Sequence, residues 1–484
     1  MTTGAGYAVL TLGLWSVAFA TTPAGFKARI TSAALNYAST KAMDALAVEL
    51  PKTNIPDQSG SSGHVSYSLE NIRITRFSKP SSSIQLNPGQ GLTWSASNAG
   101  IDLHADWHAK YKQGWFKVSD HGSLDASLSG VSFSISIAVR ADSSGRPEVA
   151  AAGCSCSIRS VDIKFHGDIV SKILDLFRGQ VERKVRDIIP GKLCDALNSQ
   201  INNNAEQQLK KLKVVMGLLD DLFLLDYRLV QSPSFQTGFF ETNHKGEITW
   251  KAKPEQPPFS PAPMPSSPAS QNMLYLWIGQ YLPQSFVYAA QHNGFLQYNL
   301  TAQDLPPGNR SILNTTCTSF LCVGRLIPEI GAKYPGSTVR LHMNSTTMPV
   351  IRMDPGELEA KMAGDIAMYA QTPHGDTPYL LTLNVSATFN MSATIANQLL
   401  VGKITGSSFK VGVLKSAVGE LNAKAINAMV GLAMKLFIIP KMNEKGAHGF
   451  PLPVTDQVKF VSSKLEIQKN ALMIATDLQY DLHF

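Results

Sequence analysis

The chain has 484 residues, too many for one hydrophobic core and enough for two large domains. Apolar residues make up 44% and charged residues 16%, against about 25% charged in an average globular protein, which excludes a disordered chain and suits a β-rich one. The net charge of +7 is mild for this length, and with no nucleic-acid-binding motif it leaves nucleic acid out as a partner.

Residues 1–20 carry no charged side chain, contain the apolar run Tyr7–Phe19 and end in Ala18-Phe19-Ala20, the small-residue pattern of a signal-peptide cleavage site. The run is short for a membrane span, so a secreted, extracellular chain is expected. In Arg29–Leu50 the residues Ile30, Ala34, Ala38, Ala42, Leu46 and Leu50 recur every fourth position, which predicts a helix ended by Pro51. Strand alternation follows at Val65, Tyr67 and Leu69, then at Ile72 and Ile74, and again through Ser123–Arg140. Ser129-Gly130 breaks the phase of that last stretch, as a bulge or tight turn would. From Ile169 the spacing turns helical along Ile169, Ile173, Phe177, Val181, Val185 and Ile188. Pro190-Gly191 is expected to interrupt the helix before a second piece through Cys194, Leu197 and Ile201.

Seven prolines lie between Pro254 and Pro268, a density no helix or central strand tolerates, so the segment reads as an extended, semi-rigid spacer. It separates an N-terminal domain, 21–250, from a C-terminal domain, 273–484, with 251–272 as linker. Residues 21–253 carry 27 Lys+Arg against 22 Asp+Glu, a net of +5, and the remainder carries 16 against 14, a net of +2. Beyond the strap, strand alternation occupies much of 336–392. A helix is expected from about Gly412 to Ile438, stopping at Pro440. A final strand pair is expected around Gln457–Phe460 and Leu472–Leu478. A strand-rich body with long amphipathic helices in each half suggests an internal duplication.

The chain contains no G-x-S-x-G elbow, phosphate-binding loop or G-x-G-x-x-G, and no carboxylate pair stands out, so no enzyme is expected. His104-Ala-Asp-Trp-His108 lacks the Glu of a metalloprotease helix and falls in a strand-like stretch, so no metal site is expected there. Five cysteines in a secreted chain leave one over. A disulfide between Cys154 and Cys194, 40 residues apart, competes with a reading of all five as small buried hydrophobes; Cys317 with Cys322 stays open. Six N-x-S/T sequons, Asn299, Asn309, Asn314, Asn344, Asn384 and Asn390, all follow the strap, which points to one glycan-coated half and one bare half. In the bare half, Trp107-His-Ala-Lys-Tyr-Lys-Gln-Gly-Trp-Phe-Lys117 interleaves Lys110, Lys112 and Lys117 with Trp107, Tyr111, Trp115 and Phe116. Gln113-Gly114 reads as a hairpin tip. Two readings fit: a membrane- or glycolipid-facing tip, or an ordinary hairpin whose lysines snorkel over core aromatics.

Several stretches resemble the family of bactericidal/permeability-increasing protein and lipopolysaccharide-binding protein: Pro23-Ala-Gly-Phe-Lys-Ala-Arg-Ile-Thr31, Ile55-Pro-Asp57, Gly63-His-Val-Ser-Tyr-Ser68, Pro257-Pro-Phe-Ser-Pro261, Met273-Leu-Tyr-Leu276, and above all Pro440-Lys-Met-Asn-Glu-Lys445 with Gly449-Phe-Pro-Leu-Pro453. The Cys154…Cys194 spacing also matches that family's single disulfide. The resemblance implies an α+β fold of two tubular lipid-binding barrels, each a twisted antiparallel sheet wrapped round a long helix. The barrels form a boomerang joined by a central sheet and the Pro-rich linker. It implies no cofactor, one phospholipid in an apolar tunnel of each barrel, and a secreted monomer, stored in granules before release in some members. Its partners would be lipopolysaccharide and the bacterial outer membrane, met at a basic tip that Trp107, Lys110, Lys112, Trp115 and Lys117 match. A second tip loop, basic in the bactericidal member, here reads Asp57-Gln-Ser-Gly-Ser-Ser-Gly63 with no lysine.

Overall fold

The structure, a computed structural model, describes residues 23–167, 171–266, 271–317, 322–452 and 458–480. The expected signal peptide and Ile169 lie outside them. β1 (Phe26–Thr31) leads directly into α1 (Ser32–Glu49), so the helix starts three residues later than its stripe suggests. A strand hydrogen-bonded on both sides outcompetes a weak helical stripe over those residues. β2 (Gln58–Ser62), β3 (Val65–Ser78), β4 (Ser81–Asn87), β5 (Gly91–Gln113), β6 (Phe116–Ala141), β7 (Pro147–Ser157) and β8 (Ser160–His166) then build one curled antiparallel sheet. Its order is β2-β3-β5-β6-β7, with β4 against β5 and β8 against β6. The break at Ser129-Gly130 is a bulge: Gly130 sits at φ +62°, and the register with β5 shifts beside it.

α2 (Ser171–Ser199) covers the inner face of this sheet, and it does not stop at Pro190. Phe177, Val181, Val185, Ile189, Leu193 and Leu197 keep one buried stripe in phase across the proline. An interior proline costs about 3 kcal/mol, whereas each large apolar side chain recovers roughly 1.5–3 kcal/mol on burial, so packing outweighs the break. Cys194 of α2 is disulfide-bonded to Cys154 of β7, with Cα atoms 5.8 Å apart, which ties the helix to the sheet's edge strand. Cys317 and Cys322 form a second bridge, and Cys156 is free.

A π turn at Gln200–Ala205 and α3 (Glu206–Lys210) lead to β9 (Val215–Leu218), β10 (Phe223–Asp226), β11 (Ser234–Gln236), β12 (Phe239–His244), β13 (Glu247–Trp250), β14 (Leu274–Gly279) and α4 (Tyr281–His292). The C-terminal half repeats the plan. After β15 (Gln297–Leu300) and the short α5 (Val323–Leu326) and α6 (Pro328–Lys333) come β16 (Thr338–Ser345), β17 (Val350–Asp354), β18 (Glu357–Gln371), β19 (Tyr379–Ala396) and β20 (Leu399–Ser416). They form a second curled antiparallel sheet, closed by α7 (Ala423–Ala433) and α8 (Ile439–Ala447). The helix expected at Gly412 begins only at Ala423, because β20 stays paired to β19 through Val411 and Val413. Asn422 caps α7 by accepting from the Lys424 and Ala425 N–H groups. Pro440 does not end the helical run. After a π turn at Met434–Ile438 it falls in the first turn of α8, where a missing N–H is tolerated. β21 (Phe450–Pro451) pairs with β20, and β22 (Val458–Gln468) with β23 (Ala471–Tyr480).

The halves are joined by one six-stranded sheet, β11-β12-β1-β14-β23-β22, in which β1 pairs with β12 of its own half and with β14 of the other. Lys27 and Arg29 of β1 are buried here, 7% and 2% exposed. Arg29 Nη2 lies 2.7 Å from Glu241, and its guanidinium stacks 4.0 Å from Phe239 and 5.1 Å from Trp277. Lys27 Nζ sits 4.3 Å over Trp277 and donates to the Pro265 carbonyl. Burial lowers the Lys27 ammonium pKa below its usual range, with Glu241 pulling the other way. The strap is therefore more than a spacer. Phe259 packs on Tyr281 and Tyr288, Met264 on Tyr275 and Trp277, and Pro265 and Ser266 cover the buried cations.

Candidate functional site

β5 and β6 meet in a hairpin whose two-residue loop is Gly114-Trp115, between the opposed pair Gln113 and Phe116. Gly114 has φ +57° and Trp115 does not have positive φ, the pattern of a type II′ turn, which calls for glycine first. The turn holds Trp115 out of the protein, 94% exposed, beside Phe116, 48% exposed. Tyr111 and Phe116 stand edge to face across the hairpin, and His64 packs edge-on to Tyr111.

Lys112 and Lys117 are directly opposed across the strands, and Lys110 follows on the same outer face, opposite Ser119 and Ser66. All three are exposed, and among the described residues none of their ammonium groups has an ion-pair partner. Like charges directly opposed weaken a sheet, so this pair is a local cost that an anion would relieve. The serine-rich stretch without lysine is the edge strand β2; the His64 carbonyl in the turn after it accepts from the Lys112 N–H and brings it beside the tip.

Trp107 is placed differently from the expectation. It is fully buried, packs on Phe165 and Phe177, and donates its indole N–H to the Ser123 carbonyl. Past the bulge near Asn98, alternation along β5 sends odd residues inward and even ones outward, so Trp107 anchors α2 to the sheet and does not reach a membrane surface. Cys154 is bonded as described above. Of the sequons, Asn299, Asn344, Asn384 and Asn390 share the outer face of the second sheet: Asn299 is paired with His342, Asn344 and Asn384 each with Asp365, and Asn390 with Glu359. Asn309 and Asn314 sit in and just after the 3-10 turn Pro307–Leu313.

Sequence reading weighed His104 and His108 only as a metal site and missed that they form a row with His121 and His166 on the same outer face as the lysines. His108 and His121 are opposed and their rings stack at 5.8 Å. His104 Nδ1 and His166 Nε2 bind the two oxygens of Asp125, at 2.7 and 3.0 Å. The hairpin turn held the signal, because the two numbers of each opposed pair add to the same total as 113 and 116.

Inside each barrel the helix closes on the sheet. In the C-terminal half a cavity of about 80 Å³ lies between Leu313, Leu341, Leu383, Val430, Met434 and Phe437. In the N-terminal half one of about 20 Å³ lies between Ile55, Leu69, Leu103, Val181, Val185 and Ile189. Sites for small organic ligands run to roughly 300–1,000 Å³, so neither of these two cavities has room for a phospholipid as it stands. The most apolar 18-residue window of the continuous helix Ala423–Ala447 has a mean hydropathy of 1.4, yet only 17% of that window is buried. Among the described residues no three His, Cys, Asp or Glu side chains converge as a metal site.

Comparison with known proteins sets this geometry in context. Residues 34–204 match the model of the LBP / BPI / CETP family N-terminal domain, and residues 217–480 that of its C-terminal domain. The chain belongs to the LBP / BPI / CETP family. It is 28% identical to a bactericidal permeability-increasing protein of Sebastes schlegelii over 461 residues, covering 94% of this chain and 95% of the relative. It is also 28% identical to the lipopolysaccharide-binding protein of Homo sapiens, covering 94% of each. A crystal structure of lipopolysaccharide binding protein superposes with a TM-score of 0.66 at 27% identity, covering 96% of this chain and all of that one. The two curled half-barrels are thus the family's paired tubular fold, reached here from strand register and core packing.

Proposed function

We propose that this is a secreted protein of innate immunity that acts by binding. It docks its N-terminal tip on the lipid A phosphates of lipopolysaccharide, permeabilises Gram-negative outer membranes, and takes phospholipid under its barrel helices. The observation that carries this reading is the tip itself: an almost fully exposed tryptophan on a two-residue turn, flanked by an opposed lysine pair without counter-ions. The ammonium groups would meet phosphates while Trp115 and Phe116 sink to headgroup depth. Each lysine near such a surface contributes about 1 kcal/mol, less in high salt. The full chain carrying Lys110→Ala, Lys112→Ala and Lys117→Ala should therefore bind lipopolysaccharide about 100-fold more weakly at low salt. Equal binding by variant and parent at low and high salt would sink the tip reading.

The poorly buried helix Ala423–Ala447 favours a second reading, a lipopolysaccharide carrier or phospholipid transfer protein in which acyl chains cover that apolar surface. Under it, the lysine variant would still move labelled phospholipid between vesicles. The glycan coat is part of the proposal: four sequons on one outer face would sheathe the C-terminal half and leave the lysine-bearing half bare. Treating the secreted protein with an N-glycosidase should lower its mass and change Asn to Asp at those positions by peptide mapping. An unchanged mass would refute it.

A further inference from the structure

The histidines that the tip does not use form a continuous surface with it. On the outer face, from the row of His104 to the tip, β3 presents Glu70 and Arg73, β5 presents His104, Asp106, His108, Lys110 and Lys112, and β6 presents Lys117, His121 and Asp125. β8 adds Lys164 and His166, and Asp57, just before β2, reaches the same surface through the Asn71 N–H. At neutral pH this face carries five cations (Arg73, Lys110, Lys112, Lys117, Lys164) against four acids (Asp57, Glu70, Asp106, Asp125), a net of +1. Four histidines stand among them, and histidine normally titrates between pH 5 and 8. Charging all four takes the face to +5.

We propose that this face is a second membrane-docking surface, latent at neutral pH, which engages anionic lipid when His104, His108, His121 and His166 become charged in a mildly acidic medium. The inference rests on the tip reading for its orientation toward a membrane and shares its lysines, but the histidines that switch it are different residues. The geometry accommodates the charged forms. Asp125 accepts from both His104 and His166, and those two hydrogen bonds hold its carboxyl below the usual range, so it stays ionised while they charge. Glu70 lies 3.8 Å from His108 Nε2 and offsets the repulsion that stacked His108 and His121 would feel as cations. His121 has no acidic partner of this kind, and Asp125 and Glu70 are already ionised at neutral pH, so each proton gained adds to the net charge of the face, continuous with Lys110 and Lys112 on the same strand. His244, by contrast, is pushed down to about 4 by burial and contributes nothing to this window.

The test is binding of the full chain to phosphatidylcholine vesicles containing phosphatidylglycerol, at pH 7.4 and pH 5.5 and equal ionic strength. Each charge near an anionic surface strengthens binding about fivefold, so charging all four should raise affinity about 600-fold on acidification, and pure phosphatidylcholine vesicles should show no rise. His104→Gln, His108→Gln, His121→Gln and His166→Gln together should leave binding at pH 7.4 unchanged and abolish the rise. His108→Gln with His121→Gln alone, which leaves the Asp125 hydrogen bonds intact, should remove about half of it on a logarithmic scale and guards against a folding defect in the fourfold variant. A parent protein with equal affinity at both pH values, or a folded fourfold variant that keeps the full rise, overturns the proposal. The lysine variant separates the two readings: weakened at pH 7.4 but with the rise intact, it supports both, whereas unweakened binding at pH 7.4 with the rise intact removes only the tip reading.

Discussion

Arg29→Ala is expected to destabilise the protein by about 3–5 kcal/mol, the cost of breaking a buried ion pair from one side. Arg29 is 2% exposed, and its guanidinium is held between Glu241 at 2.7 Å, the ring of Phe239 and the ring of Trp277. Removing it strands the Glu241 carboxylate in a largely buried site, with Lys27 at 3.7 Å as its remaining cation, and empties the space under Ser266 of the strap. The consequence reaches beyond one contact because β1 is the strand that pairs with both halves. Thermal melting should show the loss as roughly 6–20 °C, at the 2–4 °C per kcal/mol expected for domains of this size. Arg29→Met with Glu241→Gln removes both charges and keeps the volume, and should recover most of the stability. A single Arg29→Ala variant melting within 1–2 °C of the parent would show that the strap and sheet hold without this cluster.

Removing the Cys154–Cys194 bridge should cost about 4 kcal/mol, the loop-closure entropy of 40 residues. The reason lies in where the bond sits. β7 is the edge of the first sheet, paired among the described residues only with β6, and α2 meets it near the C-terminal end of the helix. Phe177, Val181, Val185, Ile189, Leu193 and Leu197 still seat the helix without the bond, so the fold survives with a lower melting temperature. Cys154→Ser with Cys194→Ser is the clean comparison, since one substitution alone leaves a reactive partner. Burial pushes the Cys156 thiol up to about 11, which keeps it a poor nucleophile at physiological pH. Because the tip is built by β5, β6 and the turn after β2, while Cys154 is paired with Ile135 far along β6, lipopolysaccharide binding at 25 °C should not change. A double variant that melts like the parent would show the bridge to be stabilising nothing.

Much of the candidate site is legible in the sequence. Gln113-Gly114 marks the hairpin, and strand alternation from there separates the inward residues from the outward ones. Applied strictly, the same alternation moves Trp107 out of the membrane-facing set and into the core, because it is odd-numbered with Ala105 and Ala109. It also opposes His108 to His121 and His104 to Asp125. His166 reaches Asp125 only because β8 folds back against β6, and no local pattern announces that pairing. Element ends were the weakest part of the reading. Pro190 and Pro440 look like helix stops, yet one lies inside α2 and the other follows a π turn into α8.

By itself, the sequence determined the periodicities, the lysine-aromatic hairpin, the cysteine spacing and the proline strap, because each is set by a residue's own backbone preference or by the chemistry of near neighbours. Tertiary structure alone decided that β1 serves both halves, that the strap lies over Lys27 and Arg29, and that α2 continues through its proline. Those outcomes depend on side chains more than 200 residues apart sharing one buried surface, where the free energy of packing exceeds the local preferences that a sequence displays.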